Sequence, residues 1–173
     1  MPTLHLVRHA KASRDAPVED HDRPLAPRGR RAAPAMARWM AENGVAPELV
    51  LVSTARRCRE TWAAMQAEFA SRPAVEFEAG LYLAAAGDLL ARLRRLPAGR
   101  REVMLIGHNP GLHELAVSLA GAGDGVGRRR LHEKFSTGAL ATLSSPASEW
   151  SGLSPGRLDL VRFIRPSDIV EEQ

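Results

Sequence analysis

At 173 residues, with 45% apolar and 25% charged side chains, the chain has the make-up of one ordinary globular domain, read as 1–173. That excludes a disordered tail, a collagen-like rod and a disulfide-stapled miniprotein, and no apolar run approaches the roughly 20 residues that span a bilayer. The net charge is +4, yet the pI is about 10.2. The gap arises because 22 of the 24 basic residues are arginine, leaving only Lys11 and Lys134. Aromatic residues are 5%, too few for a base-stacking surface, so neither nucleic acid nor a membrane is expected as a partner. The opening MPTLHLVRHAKAS meets charge too early for the apolar core of a secretory leader and reads as a first strand. The single cysteine, Cys58, allows no internal disulfide and fits a cytoplasmic location.

In chain order, short β-rich runs alternate with helical patterns, the signature of βαβ units. Strands are expected at Leu4–Val7, Leu49–Val52, Val75–Phe77 and Val103–Ile106. Helices are expected near Gly29–Asn43, Arg56–Ala70, Ala86–Leu96 and Leu112–Ala120, with Met36, Trp39 and Met40 spaced as a core stripe. Gly121–Arg130 reads as a solvated glycine-rich loop carrying the triplet Arg128–Arg130, with a contact to an acidic partner as the lesser reading. Ala139–Leu143 and Leu158–Ile164 follow as strands with no helix between them, an antiparallel or mixed pair closing a sheet edge. The fold class is α/β, a three-layer sandwich with a mainly parallel central sheet.

Three polar clusters each follow a buried strand: Arg8-His9-Ala10-Lys11, Ser53-Thr54-Ala55-Arg56-Arg57 and Gly107-His108-Asn109-Pro110-Gly111. In an open parallel sheet the carboxyl ends of the strands share one rim, where ligands bind, so these distant clusters should meet. Asn109 is expected to cap a helix with Pro110 in its first turn, and Ser53 or Thr54 to cap the helix presenting Arg56 and Arg57. Helix N-termini and guanidinium forks both suit a dianionic phosphoryl group. One histidine can attack phosphorus and a second, protonated against the phosphate, can stabilise the transition state.

The same residues carry a resemblance. Leu6-Val7-Arg8-His9-Ala10-Lys11 resembles the Arg-His-Gly signature of the histidine phosphatase superfamily. Ser53 through Thr61 is similar to its Ser-Pro-x-x-Arg-Ala-x-x-Thr segment, and Ile106-Gly107-His108-Asn109-Pro110 matches its second-histidine motif. Asp22-Arg23-Pro24-Leu25 with Arg28-Gly29, and the short layout, resemble the SixA-type phosphohistidine phosphatases. The resemblance implies a phosphoglycerate-mutase-like fold, His9 as phosphate acceptor, His108 as its partner, and Arg8 and Arg57 gripping the phosphoryl oxygens. Asn109 is placed either in the phosphate pocket or at the helix cap. Ala10 stands where the family has glycine, which requires a negative φ there. Thr54 replaces proline and Cys58 replaces alanine.

Related mutases and broad phosphatases place a carboxylate after the third strand, which makes Glu78 the candidate general acid. Glu76 and Glu78 share strand parity, so a solvent-facing pair is the competing reading. An alkoxide leaving group needs a proton, whereas the imidazole of a phosphohistidine leaves more readily, so an acid-poor site favours P–N cleavage. His5 reads as structural or exposed, and His21, His113 and His132 as surface residues. Asp20-His21-Asp22 reads as a loop, and Cys58 as a packed helix residue rather than a nucleophile. The expectation is a metal- and cofactor-free phosphatase acting on a phosphohistidine-bearing protein, releasing inorganic phosphate. The alternatives are a small phosphorylated substrate hydrolysed with Glu78 as acid, or a phosphoprotein-binding module without turnover.

Overall fold

Alternation of side chains along the strands sets the architecture of the computed structural model, which describes residues 1–169. The chain runs β1 (Thr3–Arg8), α1 (Pro27–Glu42), β2 (Leu49–Ser53), α2 (Arg56–Met65), β3 (Ala74–Glu78), α3 (Ala86–Arg94), β4 (Glu102–Gly107) and α4 (Gly111–Leu119). It continues through β5 (Ala120–Gly123), α5 (Gly125–Glu133), β6 (Leu140–Ser144), β7 (Leu158–Ile164) and α6 (Pro166–Ile169). Leu4, Leu6, Leu49, Leu51 and Leu105 pack on one face of the sheet with Leu89, Leu93, Leu112, Leu115 and Leu131 from α3, α4 and α5. Val7, Val50, Val52, Met104 and Ile106 pack on the other with Met36 and Met40 from α1 and Cys58, Trp62 and Met65 from α2. Strands covered on both faces are the condition under which a parallel sheet is stable. The result is the expected three-layer α/β sandwich, and Met36 and Met40 are fully buried as core.

The strand order is β3-β2-β4-β1-β6-β7-β5. β6 is antiparallel to both its neighbours, and every other pairing is parallel, so six of the seven strands point the same way. Their carboxyl ends therefore form one rim, which the start of β6 also joins. At the edge, β3 leaves Phe77 exposed and is guarded by Glu76 and Glu78, which both bind Arg92 of α3.

The last third departs from expectation. β6 and β7 do pair antiparallel, but inside the sheet, and the edge belongs to β5. The stretch expected as the loop Gly121–Arg130 is an edge strand followed by helix α5. Its glycines serve close approach rather than mobility: a Cβ on Gly121 would lie 1.8 Å from the Gly156 carbonyl oxygen, and Gly123 has a φ of +101°. Arg128–Arg130 are helical, and Arg130 binds Asp168 and lies over the Phe163 ring. Expected α2 is shorter, ending at Met65 before a 3₁₀ turn over Gln66–Glu68.

One glycine ties the fold to the rim. A Cβ on Gly29 in the first turn of α1 would sit 2.2 Å from the Lys11 carbonyl oxygen, and the Ala26 N–H donates to that oxygen at 2.9 Å. This contact pins the segment after β1 against the helix. Gly29→Ala is expected to destabilise the protein by about 1–3 kcal/mol, because backbone must move to admit the methyl group. Urea unfolding checks this, and a change under about 0.5 kcal/mol, the range of an ordinary surface substitution, would contradict it.

Candidate active site

The rim brings the three clusters together. Arg8 and His9 leave β1, Ser53 ends β2 ahead of Arg57 on α2, and His108 and Asn109 follow β4. Arg8, His9, Arg57, His108 and Asn109 line one cavity of about 570 Å³. Ala10 meets the need for negative φ, since the positive-φ non-glycine residues among those described are Arg72 and Leu83.

The state of His9 follows from its neighbours. Its Nδ1 donates to the Ala10 carbonyl oxygen at 2.8 Å, which places the lone pair on Nε2. The ring is 7% exposed. Burial, with His108, Arg57 and Arg8 adding positive charge nearby, pushes its pKa down to about 3. His9 is a neutral imidazole with a free nucleophilic nitrogen.

His108 lies 5.4 Å from His9, centroid to centroid, and both its nitrogens are engaged. Arg57 NH2, a donor only, is 3.3 Å from Nδ1, so Nε2 carries the hydrogen and donates to Ser53 Oγ at 2.7 Å. Burial and then Arg57 lower its pKa to about 4. A protonated His108 is expected only against a phosphate; without an anion the ring is neutral.

Arg57 is 3% exposed and is held by a residue that sequence reading passed over. Its NH1 donates to the Asp20 carbonyl oxygen at 2.8 Å, and NH2 reaches Asp20 Oδ2 at 3.1 Å. Asp20 sits in the 3₁₀ turn Asp20–Asp22, the segment read as a loop. The Tyr82 hydroxyl donates to Asp20 and, with Arg23 and Arg57, holds its carboxyl well below the usual carboxylate range. Tyr82 also packs edge-on against His21 and His108, and His21 bonds Thr54. The acidic turn itself was the available signal for Asp20. Tyr82, the chain's one tyrosine, had none.

Capping was misread at both helices. The N-cap of α4 is Pro110 and that of α2 is Ala55, neither with a side-chain cap bond. Asn109 instead donates Nδ2 to the Phe135 carbonyl oxygen at 2.9 Å, an acceptor it shares with Arg8 NH1 at 3.1 Å. Ser53 Oγ receives His108, and its bond from the Ala55 N–H at 3.3 Å lies outside the helix. Tertiary partners outcompeted the local caps. Cys58 is buried, with Sγ 3.5 Å from His108 Nε2, and burial pushes its thiol up to about 12. It is the packed helix residue expected.

Glu78 is not brought into the cavity. It ends β3 beside Ser53 in the β2–β3 register, but both its oxygens accept from Arg92 Nε, at 2.7 and 3.1 Å. Parity with Glu76 puts the pair on the α3 side, where one guanidinium bridges them. His5 is structural, bonded to Thr142 and Glu102.

Cations dominate the cavity. Besides Arg8 and Arg57, its near side carries Lys11, Arg14, Arg23 and Arg28, and its far wall Lys134 and Arg165. No carboxylate is among its described lining residues. Arg8 Nε, Arg165 Nε and Asn109 Oδ1 are buried without a hydrogen-bond partner among the described residues. Leaving such a group unsatisfied costs about 1–3 kcal/mol. An anion rich in acceptors answers the cationic donors that line the cavity, whereas Asn109 Oδ1, itself an acceptor, calls for a donor. Leu83, exposed and at φ +50°, forms an apolar lip.

The comparisons agree with this geometry. Residues 4–89 match the family model of the histidine phosphatase superfamily, branch 1. An uncharacterized protein of Mycobacterium tuberculosis is 36% identical over 162 residues, covering 92% of this chain and 99% of its own. SixA of Nakamurella multipartitia, a candidate phosphohistidine phosphatase, superposes with a TM-score of 0.83 at 31% identity, over 95% of this chain and 96% of that one. SixA of Agrobacterium tumefaciens gives 0.79 at 30% identity, over 96% and 99%. The chain belongs to the histidine phosphatase superfamily and is of the SixA type. It is a phosphatase of that superfamily, with the phosphoglycerate-mutase-like fold.

A pH dependence follows. His9 and His108 have folded-state pKa values near 3 and 4 against 6.5 when free, so the unfolded chain binds more protons between those limits. Their neutral forms favour folding fully above about pH 6.5, and that contribution is lost as the pH falls towards 4. The ligand-free His9→Asn/His108→Asn protein is expected to show a flatter decline of urea-unfolding stability from pH 6.5 to 4. An unchanged slope would place the protonation elsewhere.

Proposed function

We propose that this protein hydrolyses phosphohistidine on a partner protein through a phosphoryl-His9 intermediate. The observation that supports this reading is the make-up of the cavity: a neutral His9 with a free Nε2 among guanidinium groups, and no carboxylate in the described lining to protonate a leaving alkoxide. Nε2 attacks phosphorus in line while Arg8 and Arg57 hold the equatorial oxygens. The leaving imidazole of the substrate takes its proton from solvent. Water then cleaves the new P–N bond and releases orthophosphate.

Arg57 and His108 act as a coupled pair in this scheme. The dianion favours a proton on His108 Nδ1, which turns that atom from acceptor to donor. Two donors cannot bond each other, so Arg57 NH2 is released to the phosphoryl oxygens as His108 gains its charge. Asn109 and Arg8, fixed to the Phe135 carbonyl, keep the opposite side of the pocket in place. No step requires a metal.

Hydrolysis of a phosphohistidine-bearing protein and of para-nitrophenyl phosphate, both in EDTA, tests the reading. Faster release from phosphohistidine is expected, and Glu78→Gln should leave it unchanged. Preference for the ester, with loss on Glu78→Gln, would restore the small-molecule reading. Silence on both with orthophosphate still bound would leave a binding module. His9→Ala should cut turnover by about 10⁴-fold or more while retaining phosphate affinity. Arg57→Ala should cost about 10²–10³-fold. Arg56, paired among the described residues only with Glu60 on the surface, should tolerate alanine within about threefold.

A further inference from the structure

The cavity extends past the residues that the phosphoryl-transfer scheme uses. Val7 and Ile164 both pair with Leu140, from opposite sides of β6. Arg8 and Arg165, each one residue further on, thus stand two strand spacings apart, about 10 Å. Both line the cavity, and both have a buried Nε without an acceptor among the described residues. Between them runs the segment before β6, which adds Lys134, Ser136 and Thr137 to the lining. Among the described residues Lys134 forms no ion pair, and neither hydroxyl is bonded. The chain's two lysines, Lys11 and Lys134, both open onto this one cavity. A lysine supplies a mobile point charge, suited to an anion whose exact seat varies.

From this second wall we propose a second oxyanion subsite, formed by Arg165 and Lys134 with Ser136 and Thr137, and with it a further activity: hydrolysis of a phosphoanhydride. The terminal phosphoryl group occupies the Arg8–Arg57–His9 centre, and the penultimate phosphate occupies the second subsite. The idea rests on the phosphoryl-His9 chemistry above and extends its substrate range. The leaving-group requirement is the same one: a phosphate departs as a stable anion and, like imidazole, needs no carboxylic acid. His9 Nε2 forms the P–N bond with its lone pair. The bond from the terminal phosphorus to the bridging oxygen breaks, and its electrons leave on orthophosphate, held by Arg165 and Lys134. Water then attacks phospho-His9, the P–N electrons return to the imidazole, and the water proton passes to solvent. One pyrophosphate and one water yield two orthophosphates.

Titration calorimetry with orthophosphate and with inorganic pyrophosphate, and orthophosphate release from pyrophosphate in EDTA, test the proposal on the full chain. Pyrophosphate is expected to bind at least tenfold more tightly than orthophosphate and to be hydrolysed. Arg165→Gln and Lys134→Gln are each expected to weaken pyrophosphate binding severalfold, and together at least tenfold, with orthophosphate affinity held within twofold. Equal affinity for the two anions, equal losses for both in the variants, or bound pyrophosphate that is never cleaved would each overturn it. Should Arg165→Gln unfold through its lost contact to Asp168, Lys134→Gln, an exposed change, decides alone. Failure of orthophosphate to bind the unaltered protein would instead strike the phosphoryl-His9 reading. Normal phosphohistidine turnover without pyrophosphate preference would strike only the second subsite.

Discussion

Bringing guanidinium groups together beside imidazoles at one rim is the constraint on which the rest of this structure turns. Like charges repel, and their desolvation opposes folding unless each donor is answered. Arg57 is answered by Asp20, twice, and by His108; Arg8 finds the Phe135 carbonyl oxygen. Those partners in turn decide the site's chemistry. Because Arg57 donates to His108, His108 must accept, and burial keeps it neutral; burial, with positive charge nearby, keeps the His9 ring neutral too. An imidazole nitrogen is thereby kept unprotonated at neutral pH, the state that the proposed attack on phosphorus needs.

Topology makes the concentration of charge possible. With β6 alone reversed, the ends of β1, β2, β4 and β7 and the start of β6 all open onto the same side. The core pays for this arrangement, through strands buried on both faces and helices on each side. The rim itself keeps unsatisfied donors, Arg8 Nε and Arg165 Nε, that the interior would not tolerate.

The absence of a carboxylate from the described lining links the site to its leaving groups. An ester oxygen would depart as an unprotonated alkoxide here, whereas imidazole or phosphate departs readily. One electrostatic feature thus underlies the proposed chemistry from two directions: cations suit a dianion, and the lack of an acid disfavours poor leaving groups. Glu78, the carboxylate that its position after the third strand offered, is bound to Arg92 and helps protect an edge strand.

How much of this was legible in the chain depends on the range of the interaction concerned. Strand alternation and helical spacing are local, so the sandwich, the first four strands and the core stripe of Met36 and Met40 could be read directly. The meeting of Arg8, His9, Arg57 and His108 was also legible, because strand-end position and parallel topology together imply a shared rim. Caps at Asn109 and Ser53 were misread because buried tertiary acceptors and donors outbid the nearby helix ends. The edge strand β5 was hidden because its glycines signal a loop locally, yet permit a close approach that only β7 and Gly156 reveal. Asp20, Tyr82, Lys134 and Arg165 belong to the site through contacts across the fold; the acidic turn hinted at Asp20, and no local pattern marks the other three. The amino-acid sequence by itself determined the elements outside β5 and α5, the layered fold and the phosphate-seeking residue types. Only the tertiary structure decided which donor meets which acceptor, and so which histidine is free to react, because protonation states and partnerships depend on distance and burial rather than on order along the chain.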